Sequence, residues 1–312
     1  MFPYLDILKK AYELARKHLW LWVWGLFLSG ITIVNLSSFR LPRAGRHFRA
    51  IAEEWLLRQN DDATLWLTPT VLIVLLLLLV LYGLAKTAAV WAAGEFLKPP
   101  PGPKVPPTLK ISFLAAKKYF AAVLGQQILI TLVFILLLLL FALPVYYLFL
   151  AEAVARAIVL LMFAVVIFIP VTLVFGFLHL FGPIFIVLYE RGINESLALS
   201  FRLIRQKFKE CIVLSAFLIG LEILLVAMTA ASLLIFALPV VLLYFSLMWL
   251  GFSYSALLIS GAGFFIAGLY AIVLKSGFAI FTNIAWVLAV QEMVRTQKFP
   301  EEAKALAAEP AA

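Results

Sequence analysis

A chain of 312 residues that is 65% hydrophobic and only 13% charged, with mean hydropathy +1.09, has too little polar surface to wrap its apolar bulk in water. Lipid is therefore the expected solvent, and apolar runs of about 20 residues suit helices that cross about 30 Å of hydrocarbon, not the short alternating strands of a barrel. The formal charge of +9 is scattered over segments beside those runs, which favours anionic lipid headgroups over nucleic acid, and the single Cys211 rules out an internal disulfide.

The chain opens on a basic amphipathic stretch in which Leu8, Tyr12, Ala15 and Leu19 oppose Lys9, Glu13, Arg16 and Lys17. An apolar run at 19–37 follows without a convincing small-x-small cleavage site, so it reads as a retained first membrane helix. In the next loop Arg40, Arg43, Arg46 and Arg49 recur at every third position, ahead of the amphipathic AIAEEWLLRQ at 50–59. Guanidinium groups suit bidentate phosphate contacts, so this loop is a candidate for lipid headgroups or an anionic ligand. The bland alternative is a solvated interfacial helix balanced by Glu53, Glu54, Asp61 and Asp62.

A second membrane helix is expected near 67–95, carrying Lys86 and ending at Glu95, and the stiff linker KPPPGPKVPP at 98–107 separates it from the rest. ISFLAAKKYF at 111–120 sets Phe113 and Phe120 against Lys110, Lys117 and Lys118 and leads into a third helix near 121–149. The fourth, near 153–189, would span about 55 Å and so must protrude, tilt or bend at Pro170 and Pro183 before Glu190. Then Leu197, Phe201, Ile204 and Phe208 oppose Arg202, Arg205 and Lys209, the spacing of a helix in the headgroup plane. Helices near 211–236 and 257–291 complete six crossings and end at Glu292. Residues 237–256, after Pro239, read as a helix extension, a re-entrant hairpin or part of an extra crossing.

This order repeats. ISFLAAKKYF and LSFRLIRQKF align without a gap, and FALPV occurs at 141–145 and again at 236–240. The expected fold is thus an all-α polytopic transmembrane bundle of about six helices, arranged as three repeated hairpins with interfacial amphipathic helices. One membrane domain covers 1–298, with repeat units at about 1–97, 108–192 and 193–294, and 299–312 forms a short flexible tail. With both termini cytoplasmic, the inner segments carry seventeen Lys and Arg and the outer segments six. That asymmetry favours a multi-pass protein of a bacterial or archaeal cytoplasmic membrane with both ends inside.

LYERGINESLALSFRLIRQKFKECIVL at 188–214, together with LDILKKAYELARKHLWLWVWGLFL at 5–28, resembles polytopic bacterial membrane proteins related to the membrane domain of glycerophosphodiester phosphodiesterases. The shared pattern is an aliphatic run, a Glu, a short turn, an amphipathic helix and a new membrane helix. The resemblance implies a six-helix membrane domain. It does not imply phosphodiesterase activity, which belongs to a separate soluble barrel, and it carries over no catalytic residue.

Ionisable groups at membrane depth are costly and count as functional candidates. Lys86 and Glu222 stand at similar expected depth and are candidates for a pair that either lines a polar path or satisfies two buried charges. Lys275 is expected to snorkel toward headgroups, while Gln126, Gln127, His179 and Asn283 supply interhelical hydrogen bonds or a transport path. Glu95, Glu190 and Glu292 are candidate latches between repeat units, with a plain surface position as the alternative. The histidines show no metal-ligand spacing, and no nucleophile elbow or phosphate-binding loop is present, so neither an enzyme nor a cofactor is expected. The leading expectation is a non-enzymatic membrane protein acting through lipid or protein contacts, with envelope homeostasis as the expected setting. The alternative is a transporter or permease subunit for a small polar or anionic solute.

Overall fold

A computed structural model describes residues 2–33, 61–97 and 107–296, and every regular element among them is a helix. In chain order these are α1 (Tyr4–Lys17), a 3-10 turn (Leu19–Leu21), α2 (Trp22–Ile33), α3 (Asp61–Leu97), α4 (Leu109–Leu150), α5 (Val154–Leu188), α6 (Ile193–Gln206), α7 (Phe208–Trp249) and α8 (Ser253–Thr296). Asp6 in the first turn of α1, and Arg16 and Lys17 in its last, complement the helix dipole.

Five stretches are long and apolar enough to cross a membrane: Leu76–Leu97, Leu109–Leu150, Val154–Leu188, Phe208–Trp249 and Leu258–Thr296. Among the described residues the first apolar run holds a shorter apolar helix, Leu19–Ser29, which begins with the 3-10 turn. The protein is thus a multi-pass helical membrane protein. A 42-residue helix such as α7 is about 63 Å long, roughly twice the hydrocarbon thickness, so tilt or protrusion is required.

One boundary differs from the sequence reading, and at 237–249 the first of its alternatives, a helix extension, is the one observed. The basic stretch at 111–120 is not a separate interfacial helix but the first turns of α4, because nothing between Leu109 and Leu124 breaks the helix. Thr108 caps it by accepting from the Ile111 N–H. Beyond Pro239, α7 simply continues to Trp249, and the chain reverses at 250–252.

That reversal has a counterpart at 151–153. Ala151, Glu152 and Ala153 donate to the carbonyls of Tyr147, Phe149 and Leu148, while Leu250, Gly251 and Phe252 donate to Ser246, Met248 and Leu247. The middle residue is left-handed in both, Glu152 at φ 57° and Gly251 at φ 83°. The same pattern of three bonds therefore closes the α4–α5 and α7–α8 hairpins.

The chain forms two compact units. The first comprises residues 1–17, 87–223 and 281–312. Its core is a small-residue stripe on α3, Ala88, Ala89, Ala92 and Ala93, with the Phe177, Phe181 and Trp286 rings, whose centroids lie 5.5–5.9 Å apart. The second comprises 18–86 and 224–280. There α2 and α8 meet backbone to backbone: a Cβ on Gly25 would fall 2.1 Å from the Ser276 carbonyl oxygen, Trp22 lies against Gly277, and the Ser276 hydroxyl donates to the Trp22 carbonyl. Small residues at such crossings are how helices associate when lipid removes the hydrophobic drive.

Gly251 isolates the conformational term, because a Cβ there would meet nothing within 4 Å. Gly251→Ala should destabilise the α7–α8 hairpin by about 1 kcal/mol through backbone strain alone, and Gly251→Asn by less. Thermal unfolding in detergent checks both.

Candidate functional site

The three basic stretches, all in the first unit, share one pattern of burial. In each, a small residue is fully buried, with Ala11, Ser112 and Ser200 at 0% exposure. The next residue is aromatic and turned outward: Tyr12 is 58% exposed, Phe113 43% and Phe201 54%. Four residues after the small one comes another buried side chain, Ala15, Ala116 or Ile204, and immediately after that an exposed cation, Arg16, Lys117 or Arg205. Spacing of i and i+4 puts the two buried residues on one helix face, against the bundle. The adjacent face then presents an aromatic ring and a cation together.

The residues that meet the bundle are not those of the apolar face alone. Phe201 and Phe208 do not pack inward; Ser196, Ser200, Leu203 and Ile204 do. The serines are accommodated because their hydroxyls donate to carbonyls of their own helix, Ser196 to Ile193 and Ser200 to Ser196. Arg202 and Arg205 are exposed beside Phe201. Arg40, Arg43, Arg46 and Arg49 lie outside the described residues.

Of the terminal carboxylates, Glu190 is built in most firmly. It is left-handed at φ 51°, where α5 ends and the Arg191 N–H reaches back to the Phe185 carbonyl. Its Oε1 accepts from Lys118 Nζ at 3.1 Å and from the Tyr119 hydroxyl, both on α4, so the partners that hold it belong to its own hairpin. Burial pushes the neighbouring Tyr189 phenol up to about 12, which keeps it neutral throughout the physiological range. Glu292 accepts from Arg295 at 3.0 Å one turn along α8, and Glu95 is half-buried near the end of α3.

The polar residues at membrane depth fall into distinct settings. Pro183 has no N–H, so the His179 carbonyl loses its helical donor, and Gln127 Nε2 replaces it at 3.1 Å. Gln126 is fully buried against Gly182, where a Cβ would meet its amide at 1.4 Å, and neither its oxygen nor its nitrogen has a partner among the described residues. Asn283 is buried and Lys275 half-buried on α8. Lys86 is buried, whereas Glu222 is exposed among Ile219, Ile223 and Leu224. Among the described residues neither takes part in an ion pair. Nor do the described residues gather three metal-capable side chains at one place.

The two glutamines should respond oppositely to loss of the amide. Gln127→Leu orphans the His179 carbonyl at membrane depth and should cost about 1 kcal/mol, whereas Gln126→Leu removes an unsatisfied amide and should be neutral or stabilising. Unfolding midpoints of the two variants in the same detergent decide this. No known family, characterised protein or solved structure matches the chain.

Proposed function

We propose that this is a non-enzymatic integral membrane protein that works by binding anionic lipid headgroups through three related basic elbows. One observation carries the reading: the buried-small, exposed-aromatic, buried, exposed-basic order recurs in α1, at the start of α4 and in α6. An aromatic ring suits the depth of the glycerol and carbonyl groups, and a cation beside it meets the phosphate. A chance solvated face gives no reason for the ring and the charge to keep the same phase three times.

The elbows lead three helical hairpins, α2–α3, α4–α5 and α7–α8, and the matching turns at 151–153 and 250–252 support a common origin for the last two. The positive-inside asymmetry puts the elbows on the cytoplasmic face of a bacterial or archaeal inner membrane, where anionic lipid is their partner. A role in envelope homeostasis fits a protein that senses or organises that lipid. The resemblance to stand-alone relatives of glycerophosphodiester phosphodiesterase membrane domains fits the same picture.

A cation near an anionic surface contributes about 1 kcal/mol, so removing three should weaken the preference for anionic lipid by on the order of a hundredfold at low salt. Replacing Arg16, Lys117 and Arg205 by Gln together should abolish enrichment of phosphatidylglycerol over phosphatidylcholine in lipid co-purified with the protein. Raising the salt should erode the wild-type preference in the same direction. Equal retention of both lipids by wild-type protein would sink the proposal.

A further inference from the structure

The pentamer FALPV has a structural counterpart in both hairpins that contain it. Between α4 and α5 lies an apolar cleft of about 420 Å³, and Phe141, Ala142 and Val145 of the first pentamer line it. Between α7 and α8 lies a second, of about 230 Å³, lined by Phe236, Ala237 and Val240, the same three positions of the second pentamer. Across each cleft the descending helix presents a matching set: Ala164, Val165 and Phe168 in one, Gly263, Phe264 and Ala267 in the other.

The correspondence is one of register. All four lining positions on the ascending helix of the smaller cleft, Leu233, Phe236, Ala237 and Val240, stand 95 residues after lining positions of the larger one, and Gly263, Phe264 and Ala267 on the descending helix stand 99 residues after theirs, the same interval that separates Glu152 from Gly251. The four extra residues lie between the proline and the turn. Four residues are close to one helical turn, so the longer hairpin keeps the same face toward its cleft.

We infer that each cleft is a binding site for a single alkyl chain of a membrane lipid. The surroundings are hydrocarbon: Leu132, Val159 and Val166 on the same two helices as the first cleft are exposed within stretches long and apolar enough to span. Side chains left facing a void forfeit their dispersion contacts, so the clefts are filled, and what reaches them at this depth is a lipid tail. The smaller cleft lies where Gly263 meets Val240, a Cβ on Gly263 falling 2.7 Å from the Val240 side chain. Its lining side chains, Leu233, Phe236, Ala237, Val240, Phe264 and Ala267, are all apolar, so an alkyl chain leaves no polar group unpaired there. Phe141 and Phe168 meet edge to face at 5.6 Å and form the aromatic wall of the larger one. The helix prolines beside the clefts, Pro144 and Pro239, each remove a ladder bond and loosen the helix where a groove is needed.

The site uses none of the elbow residues, and a neutral lipid keeps its test separate from theirs. The full-length protein in phosphatidylcholine nanodiscs is irradiated with a trace of phosphatidylcholine carrying a diazirine near the chain end, and adducts are mapped by peptide. Adducts at 141–145, 164–168, 236–240 and 263–267 should exceed those at Leu132, Val159 and Val166 at least fivefold. Ala142→Phe, which fills the first cleft from an exposed position, should lower labelling there about fivefold and leave the second cleft unchanged; Ala237→Phe should do the reverse. Each cleft thereby serves as the folding control for the other. Uniform labelling of clefts and outer faces in the wild-type protein would overturn the inference, and so would clefts labelled less than the outer faces, which would make a protein surface the occupant.

Discussion

Every main-chain N–H and C=O within hydrocarbon must find its partner inside the protein, and the architecture follows from that requirement. It dictates helices, and it makes each helix proline a local problem. Pro69, Pro144, Pro170, Pro183 and Pro239 all stand within long helices. At Pro183 the solution is explicit, since Gln127 reaches across from α4 to the carbonyl that the proline ring leaves without a donor. The bond also fixes the rotation of α4 against α5, and with it which residues of α4 face inward. Gln126 is then turned onto Gly182, the one residue type that leaves room for its amide.

Once the rotation is set, small residues determine how closely helices approach. Hydrophobicity contributes little to helix association in lipid, so Ala, Ser and Gly line the closest approaches, while large side chains such as Phe181 and Trp286 fill the space between helices and many others face outward. This accounts for the division of labour on the elbows, where Ala11, Ser112 and Ser200 pack and Tyr12, Phe113 and Phe201 do not. It also explains why Gly25 and Gly94 stand at close crossings, against Ser276 and Leu188 respectively.

The lipid setting also bears on what could be read from the sequence and what could not. Helix existence was legible because long apolar runs have few other solutions in lipid, and four of the five long spans end close to Glu95, Leu150, Glu190 or Glu292, near where the runs stop. The inward face of the elbows was not legible, because hydrophobic spacing separates an apolar face from a basic one but does not say which residues meet the bundle. The serines Ser112, Ser196 and Ser200, buried against it, carry no apolar signal. Depth was equally insufficient for the membrane charges: Lys86 and Glu222 stand at comparable distances from helix ends, but helix rotation buries one and exposes the other. FALPV carried little weight in a chain so rich in Leu, Ala, Val and Phe, since only the fold brings its Phe, Ala and Val to a groove.

The length of α4 separates the two kinds of lipid contact. Lys117 and Phe141 are 24 residues apart on one unbroken helix, about 36 Å, which is close to the full thickness of the hydrocarbon core. A phospholipid reaches across only half of a bilayer, so no single molecule can place its phosphate at the elbow and its chain in the cleft of the same hairpin. On the proposed reading, the α4 elbow and the cleft of its own hairpin therefore meet lipids of opposite leaflets.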